Sequence, residues 1–309
     1  MSFAKDGNSD IYTMNLESRV VERITEHSSI DTSPSFSPDG NKLVYAVNKK
    51  NRYGESYRDL FIFDLKKLEQ TRLTYSGRME SPAWSPDSTK IVAVKYEGGT
   101  QNLVLLDPEK PDSLVRLTSY SKGETVFTPT WSPDGSSIFF AMADFWGRNL
   151  WKYSTETGMI EGILIDDYVD YRDPNVSPDG KYLYYSADPD GIFNIYRKPM
   201  NGGEPEKLTS VLGGAFMPSV TENELYFAEY EANAYQIKKA QISLVSDSTK
   251  CLTVPDGADE LILMKQVHRL RRRIQIIGVP CVQIVGCNHL ADQDREVGQQ
   301  QERTADHRE

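Results

Sequence analysis

Short runs of β-branched and aromatic residues recur along this chain. They include Leu43-Val44-Tyr45-Ala46, Ile91-Val92-Ala93-Val94, Ile138-Phe139-Phe140-Ala141 and Leu183-Tyr184-Tyr185. Runs of this length and type, bounded by turn residues, predict buried strands. A second kind of run follows each, opening on a polar residue: Asp59-Leu60-Phe61-Ile62, Asn102-Leu103-Val104-Leu105 and Asn194-Ile195-Tyr196. A third ends in Leu-Thr, at Leu73-Thr74, Leu117-Thr118 and Leu208-Thr209. No segment of helical period separates them.

The punctuation between runs is also periodic. Ser-Pro-Asp-Gly stands at 37–40, 132–135 and 177–180, and Ser85-Pro86-Asp87-Ser88 is a fourth copy without glycine. The turn prolines Pro38, Pro86, Pro133 and Pro178 are 48, 47 and 45 residues apart. A second proline precedes each turn, at Pro34, Pro82, Pro129 and Pro174. Proline at i+1 fixes φ, aspartate suits i+2, and glycine takes the left-handed position at i+3. Each tetrapeptide therefore predicts a type I turn joining two antiparallel strands.

Each repeat then holds four strands, A to D. Strand A carries the upstream proline, B follows the tetrapeptide, C opens on Asp or Asn, and D ends in Leu-Thr. Complete repeats span about 31–74, 79–118, 126–166 and 172–209. The chain opens near the end of a strand B. A fifth repeat begins at Phe216, with Glu224-Leu225-Tyr226-Phe227-Ala228 as B, Tyr235 to Ala240 as C and Lys250-Cys251-Leu252-Thr253 as D. Four-stranded units of 40–50 residues predict an all-β propeller, with five blades plus a partial one making six. Val254-Pro255-Asp256-Gly257 with Glu260 to Met264 is the candidate strand A for the partial blade. Residues 1–253 form the propeller and 254–309 an irregular tail.

Composition narrows the function. The 309 residues are 39% hydrophobic with 17 tyrosines and a net charge of −10. That balance argues against nucleic acid, whose binders carry a basic footprint. The N-terminus has no apolar signal segment, and no apolar run has the length of a membrane span. A monomer is expected. Cys251, Cys281 and Cys287 all fall near the C-terminus, so the blades need no disulfide.

The pattern Pro-x-[Phe/Trp]-Ser-Pro-Asp-Gly, then Asp-Ile/Leu-Tyr/Phe, then Arg-Leu-Thr, resembles the TolB-type propeller repeat over about residues 1–253. Similar repeats occur in TolB, a periplasmic six-bladed protein that works beside a peptidoglycan-associated lipoprotein. They also occur in the propeller halves of prolyl-oligopeptidase-type and tricorn-like peptidases. TolB's own N-terminal α/β domain is absent from this chain. The resemblance implies a periplasmic or cell-envelope setting and a non-catalytic binding scaffold, a fragment of a larger envelope protein. Two alternatives stand beside it: the gating propeller of a serine peptidase lacking its catalytic domain, and a small-molecule, sugar-binding or lyase-type propeller.

Strand direction puts the D-to-A and B-to-C connections on one face and the tetrapeptides on the other. Binding residues concentrate on loops held by a rigid scaffold. The loop face is therefore the expected site for a protein or peptide. Its candidates are Tyr53, Arg58, Arg78, Glu80, Phe145, Trp146, Arg148, Arg172 and Asp173. Phe145-Trp146 serves equally as a contact or as inward packing, whereas Trp84 and Trp131 read as blade core.

Catalytic and metal chemistry finds little support. There is no Gly-x-Ser-x-Gly elbow and no His-Glu-x-x-His helix. His27 is the one histidine of the repeats. Each tetrapeptide aspartate reads as a turn residue. No cofactor is expected. Calcium at Asp166, Asp167, Asp170 and Asp173 lacks EF-hand spacing. Cys281, Cys287 and His289 lack zinc spacing. The basic run Arg269 to Arg273 reads as a solvated segment.

Overall fold

The computed structural model describes residues 2–242, apart from 6, 7, 17, 27, 51–53, 55 and 233. These form six antiparallel sheets, each a meander of consecutive strands. The first holds β1 (Ser2–Lys5), β2 (Asn8–Met14) and β3 (Val21–Arg23). The second holds β4 (Ile30–Phe36), β5 (Lys42–Lys50), β6 (Ser56–Asp64) and β7 (Glu69–Arg72). The third holds β8 (Met79–Trp84), β9 (Ile91–Glu97), β10 (Thr100–Asp107) and β11 (Lys110–Arg116). The fourth holds β12 (Thr125–Trp131), β13 (Ser137–Ala143), β14 (Arg148–Ser154) and β15 (Ile160–Leu164). The fifth holds β16 (Tyr171–Val176), β17 (Tyr182–Ala187), β18 (Asn194–Pro199) and β19 (Glu206–Lys207). The sixth holds β20 (Ala215–Val220), β21 (Glu224–Glu231) and β22 (Ala234–Gln241).

Each sheet packs on the next in chain order, as propeller blades do. The first sheet supplies strands B, C and D, and the sixth supplies A, B and C. The D strand expected at 250–253 and the strand A expected after 254 lie outside the described residues. Apolar clusters fill the gaps between successive sheets. Val44, Ala46 and Leu60 meet Trp84, Ile91 and Ala93 between the second and third. Tyr184, Ile195 and Leu208 meet Leu225 and Phe227 between the fifth and sixth. Along strand B of the second to fifth sheets residues alternate between the two gaps, so both faces of those sheets are buried. Each such side chain contributes about 1.5–3 kcal/mol. Trp84 and Trp131 pack in these gaps, and the Trp131 indole N–H donates to the Ala83 carbonyl at 3.2 Å.

The tetrapeptide turns form as the residues dictate. The Gly40 N–H donates to the Ser37 carbonyl at 2.8 Å, closing the type I turn. Ser37 Oγ donates to Asp39 Oδ1 at 2.6 Å and accepts the Lys42 N–H at 2.9 Å. The serine–aspartate bond recurs from Ser85, Ser132 and Ser177. Gly40, Gly135 and Gly180 take φ of 69°, 73° and 71°, and Ser88 is held at 61°.

The upstream prolines mark a feature the sequence does not announce. Strand A is bulged in five sheets, at 32–35, 80–83, 127–130, 172–175 and 216–219. The residue before each proline has positive φ: Ser33 53°, Ser81 48°, Thr128 41°, Asp173 54° and Met217 52°. Proline lacks an N–H, and the bulge places it where the ladder is interrupted.

A buried polar network anchors the D-to-A loops. Asn102 Oδ1 accepts Thr118 Oγ1–H at 2.9 Å and the Tyr120 N–H at 2.7 Å. Asn194 does the same for Thr209 and the Val211 N–H. Asn149 Oδ1 accepts the Asp166 N–H at 2.9 Å. The polar residue opening strand C thus fixes the loop that follows strand D, and with it one half of the loop face.

Candidate binding face

The strands carry the candidate residues further than the sequence suggests. β5 runs on through Lys50, past the Leu43–Ala46 run, and β6 begins at Ser56, before the Asp59–Ile62 run. Tyr96 and Gln101 likewise stand in strands, joined by a tight Gly98-Gly99 turn with φ of 62° and 84°. Arg58, Glu80, Arg148, Arg172 and Asp173 therefore sit near strand ends rather than on free loops. Paired β-strands hold side chains more rigidly than loop backbone does. Tyr53 lies outside the described residues.

Two groups form on this face. The first lines a cleft of about 510 Å³ between the second and third sheets, walled by Tyr57, Arg58, Arg78, Glu80, Tyr96 and Gln101. Arg58 forms an ion pair with Glu80. Gln101 Nε2 donates to the other Glu80 oxygen at 2.9 Å. The Arg78 guanidinium lies 5.2 Å from the Tyr57 ring centroid. The cleft therefore presents one stacked cation and one neutralised pair between two tyrosines.

The second group spans the fourth to sixth sheets. Arg148 stacks on Phe127 at 4.3 Å, and Arg172 on Phe193 at 4.8 Å and Phe216 at 5.5 Å. Burial lowers the Arg148 pKa, and the like charge of Arg172 adds to the effect. Asp173 Oδ2 accepts the Met217 N–H at 3.2 Å, tying strand A of one blade to the next. Burial pushes its carboxyl up, against the pull of Arg172 and Arg148.

Phe145 and Trp146 cap the β13–β14 hairpin beside this group. They are 90% and 70% exposed, and their rings meet edge to face at 5.1 Å. The sequence left inward packing open, and the structure turns both rings outward. Asp144 fixes the tip: its Oδ1 accepts the Trp146 N–H at 2.8 Å and the Gly147 N–H at 3.3 Å. A Cβ on Gly147 would sit 3.8 Å from the Asp166 carbonyl, so the hairpin abuts the 165–168 loop. That loop presents Tyr168, 95% exposed. Tyr168 escaped the sequence reading because it sits among aspartates that suggested an ion site. Asp166 instead accepts the Tyr168 N–H at 2.7 Å. Among the described residues no cluster of three or more His, Cys, Asp or Glu could hold a metal. His27, the basic run and all three cysteines lie outside them.

Comparison with known proteins fits this architecture. Tol-Pal system protein TolB from Francisella tularensis subsp. holarctica is 28% identical over 211 residues, 65% of this chain and 47% of that protein. The chain spans about half the length of the curated TolB relatives it matches. The crystal structure of TolB from Acinetobacter baumannii aligns with a TM-score of 0.63 at 17% identity, over 75% of this chain and 57% of that one. Tricorn protease aligns with a TM-score of 0.57 at 17% identity, over 74% of this chain and 24% of that one. Likeness at that identity establishes the fold and leaves function to the residues. The TolB beta propeller domain family matches residues 1–161 and again 78–260, and the chain belongs to that family.

Proposed function

We propose that this propeller is a non-catalytic recognition module whose loop face holds a protein or peptide in the bacterial envelope. The observation that carries the reading is the outward Phe145–Trp146 pair. Two large aromatics in water lose the burial that normally stabilises them. Here Asp144 holds their backbone in place, so the exposure is built in. Rigid aromatics beside arginines are the residue types that dominate binding energy at protein interfaces. The likeness to Tol-Pal system proteins supports the envelope setting and a protein partner.

A photo-crosslinking residue tests this. Placed at Trp146, it should capture one partner in the cells that make this protein. Placed at Ser136, on the tetrapeptide face, it should not. Equal capture from both positions, or none from Trp146, overturns the reading.

A further inference from the structure

The stacked arginines of the second group allow a narrower statement, which rests on the recognition reading above. Among the described residues, five other arginines meet carboxylates: Arg23 with Asp10, Arg58 with Glu80, Arg72 with Asp59, Arg116 with Glu97 and Arg197 with Glu206, while Arg78 stacks on Tyr57. Arg148 and Arg172 form no such pair. Each lies on an aromatic face, and among the described residues neither guanidinium has a hydrogen-bond or ion-pair partner. Arg148 Nε is buried and unpartnered.

Arg148 and Arg172 are half-buried, and leaving the buried Arg148 Nε without a partner is costly, with the second cation beside it adding to that cost. Asp170 and Asp173 offset part of that cost without forming an ion pair. Asp173 turns an oxygen to the Met217 N–H, and the loop bearing Asp170 is tied to Asp188. Stacking covers the flat face of each guanidinium; with Arg148 Nε buried, the Nη end is the donor edge that an incoming acceptor meets. That edge matches a carboxylate in bidentate geometry. With Asp170 and Asp173 close by, the local charge favours a monoanion over a dianion such as phosphate. A chain of net charge −10 would otherwise repel an acidic ligand. We propose that Arg148 and Arg172 clamp a carboxylate of the bound peptide while Phe145 and Trp146 cover its apolar neighbour. An aspartate or glutamate side chain and a free C-terminus present the same chemistry.

The test is an NMR titration of the full chain, ¹⁵N-labelled, following the arginine Nε–Hε signals. Three probe peptides separate the sources: Ac-Trp-Gly-Glu-Gly-NH2, Ac-Trp-Gly-Gln-Gly-OH and the neutral Ac-Trp-Gly-Gln-Gly-NH2. At least one acidic probe should move the Arg148 and Arg172 signals and bind about tenfold tighter than the neutral one, as expected for a charge-assisted pair. Arg172→Met should remove that difference, and Arg148→Lys should restore only part of what Arg148→Met loses. If Arg148→Met fails to fold, the wild-type signals and Arg172→Met decide. Equal binding of all three probes overturns the clamp. So do static arginine signals while the Phe145 and Trp146 amides shift, a result that leaves the recognition reading standing. Inorganic phosphate binding as well as the acidic peptides also overturns it.

Discussion

Thr74 Oγ1 donates to Asp59 Oδ1 at 3.0 Å, fifteen residues back along the chain. The same hydroxyl accepts the Leu60 N–H at 2.9 Å. Asp59 also takes the Gly77 N–H at 2.8 Å and Arg72 Nη2 at 2.7 Å. One buried carboxylate therefore holds strand C, strand D and the loop that leads to Arg78. Asp59→Ala leaves these donors unpaired and should cost about 3 kcal/mol. Thr74→Val should cost about 1–2 kcal/mol. Urea unfolding measures both, and Asp59→Ala should also loosen the Arg58–Glu80 cleft, seen as faster hydrogen exchange at Gly77.

Ser88 occupies the left-handed position that glycine fills in the other three turns, with φ of 61°. Ser88→Gly should stabilise the protein by about 0.5–1 kcal/mol. The converse, Gly135→Ser, should lose a similar amount. A Cβ at Gly135 would meet nothing closer than Pro86 Cδ at 3.9 Å, so the loss is one of backbone conformation. Thermal unfolding of the two variants should move in opposite directions.

The tetrapeptide aspartates set the acid limit. The Ser37 hydroxyl, then the Asn41 side chain and N–H, hold Asp39 down at about 2 from its usual 3.8. The Ser177 hydroxyl and the Lys181 N–H do the same for Asp179, again to about 2. A depressed carboxyl stabilises the fold above its unfolded pKa, and that contribution is lost as pH falls towards the folded one. Melting temperature should therefore drop between about pH 4 and pH 2. Asp39→Asn combined with Asp179→Asn should flatten that limb. An unchanged slope would contradict the assignment.

Glu229 works in the opposite sense. It is fully buried in β21, and among the described residues neither carboxylate oxygen has a partner. Burial raises its pKa from 4.5 to about 8, with Glu231 adding to the rise and Lys238 opposing it. A raised carboxyl favours the fold at low pH, and that contribution is lost as pH climbs from about 4.5 to about 8. Glu229→Gln should match the wild type at pH 5 and melt higher at pH 9. A variant that melts lower at pH 9 would mean that the charged form is satisfied.

The blades were legible because their signals are local. Ser37-Pro38-Asp39-Gly40 and its copies encode a turn within four residues, and Asp59-Leu60-Phe61 announces a strand by its own pattern. The bulges were not legible. Ser33, Thr128, Asp173 and Met217 share no side-chain property, and none is the glycine that positive φ usually signals. Only the following proline marks the place. The candidate site divides in the same way. Position on the loop face followed from strand direction, but the stacking of Arg148 on Phe127 and Arg172 on Phe193 joins residues about twenty apart in the chain. Glu229 left a readable trace, an acid at the strand B position where Val47 stands in the second blade. Its meaning depended on how deeply that strand is buried.

The most direct test is to measure the dissociation constant of the partner captured at Trp146 against two sets of variants. Trp146→Ala and Arg172→Met should each weaken it at least about tenfold while melting temperature stays unchanged. Asn41→Ala and Lys181→Ala, on the tetrapeptide face, should leave it as in the wild type. Equal losses from both faces would contradict recognition through the loop face.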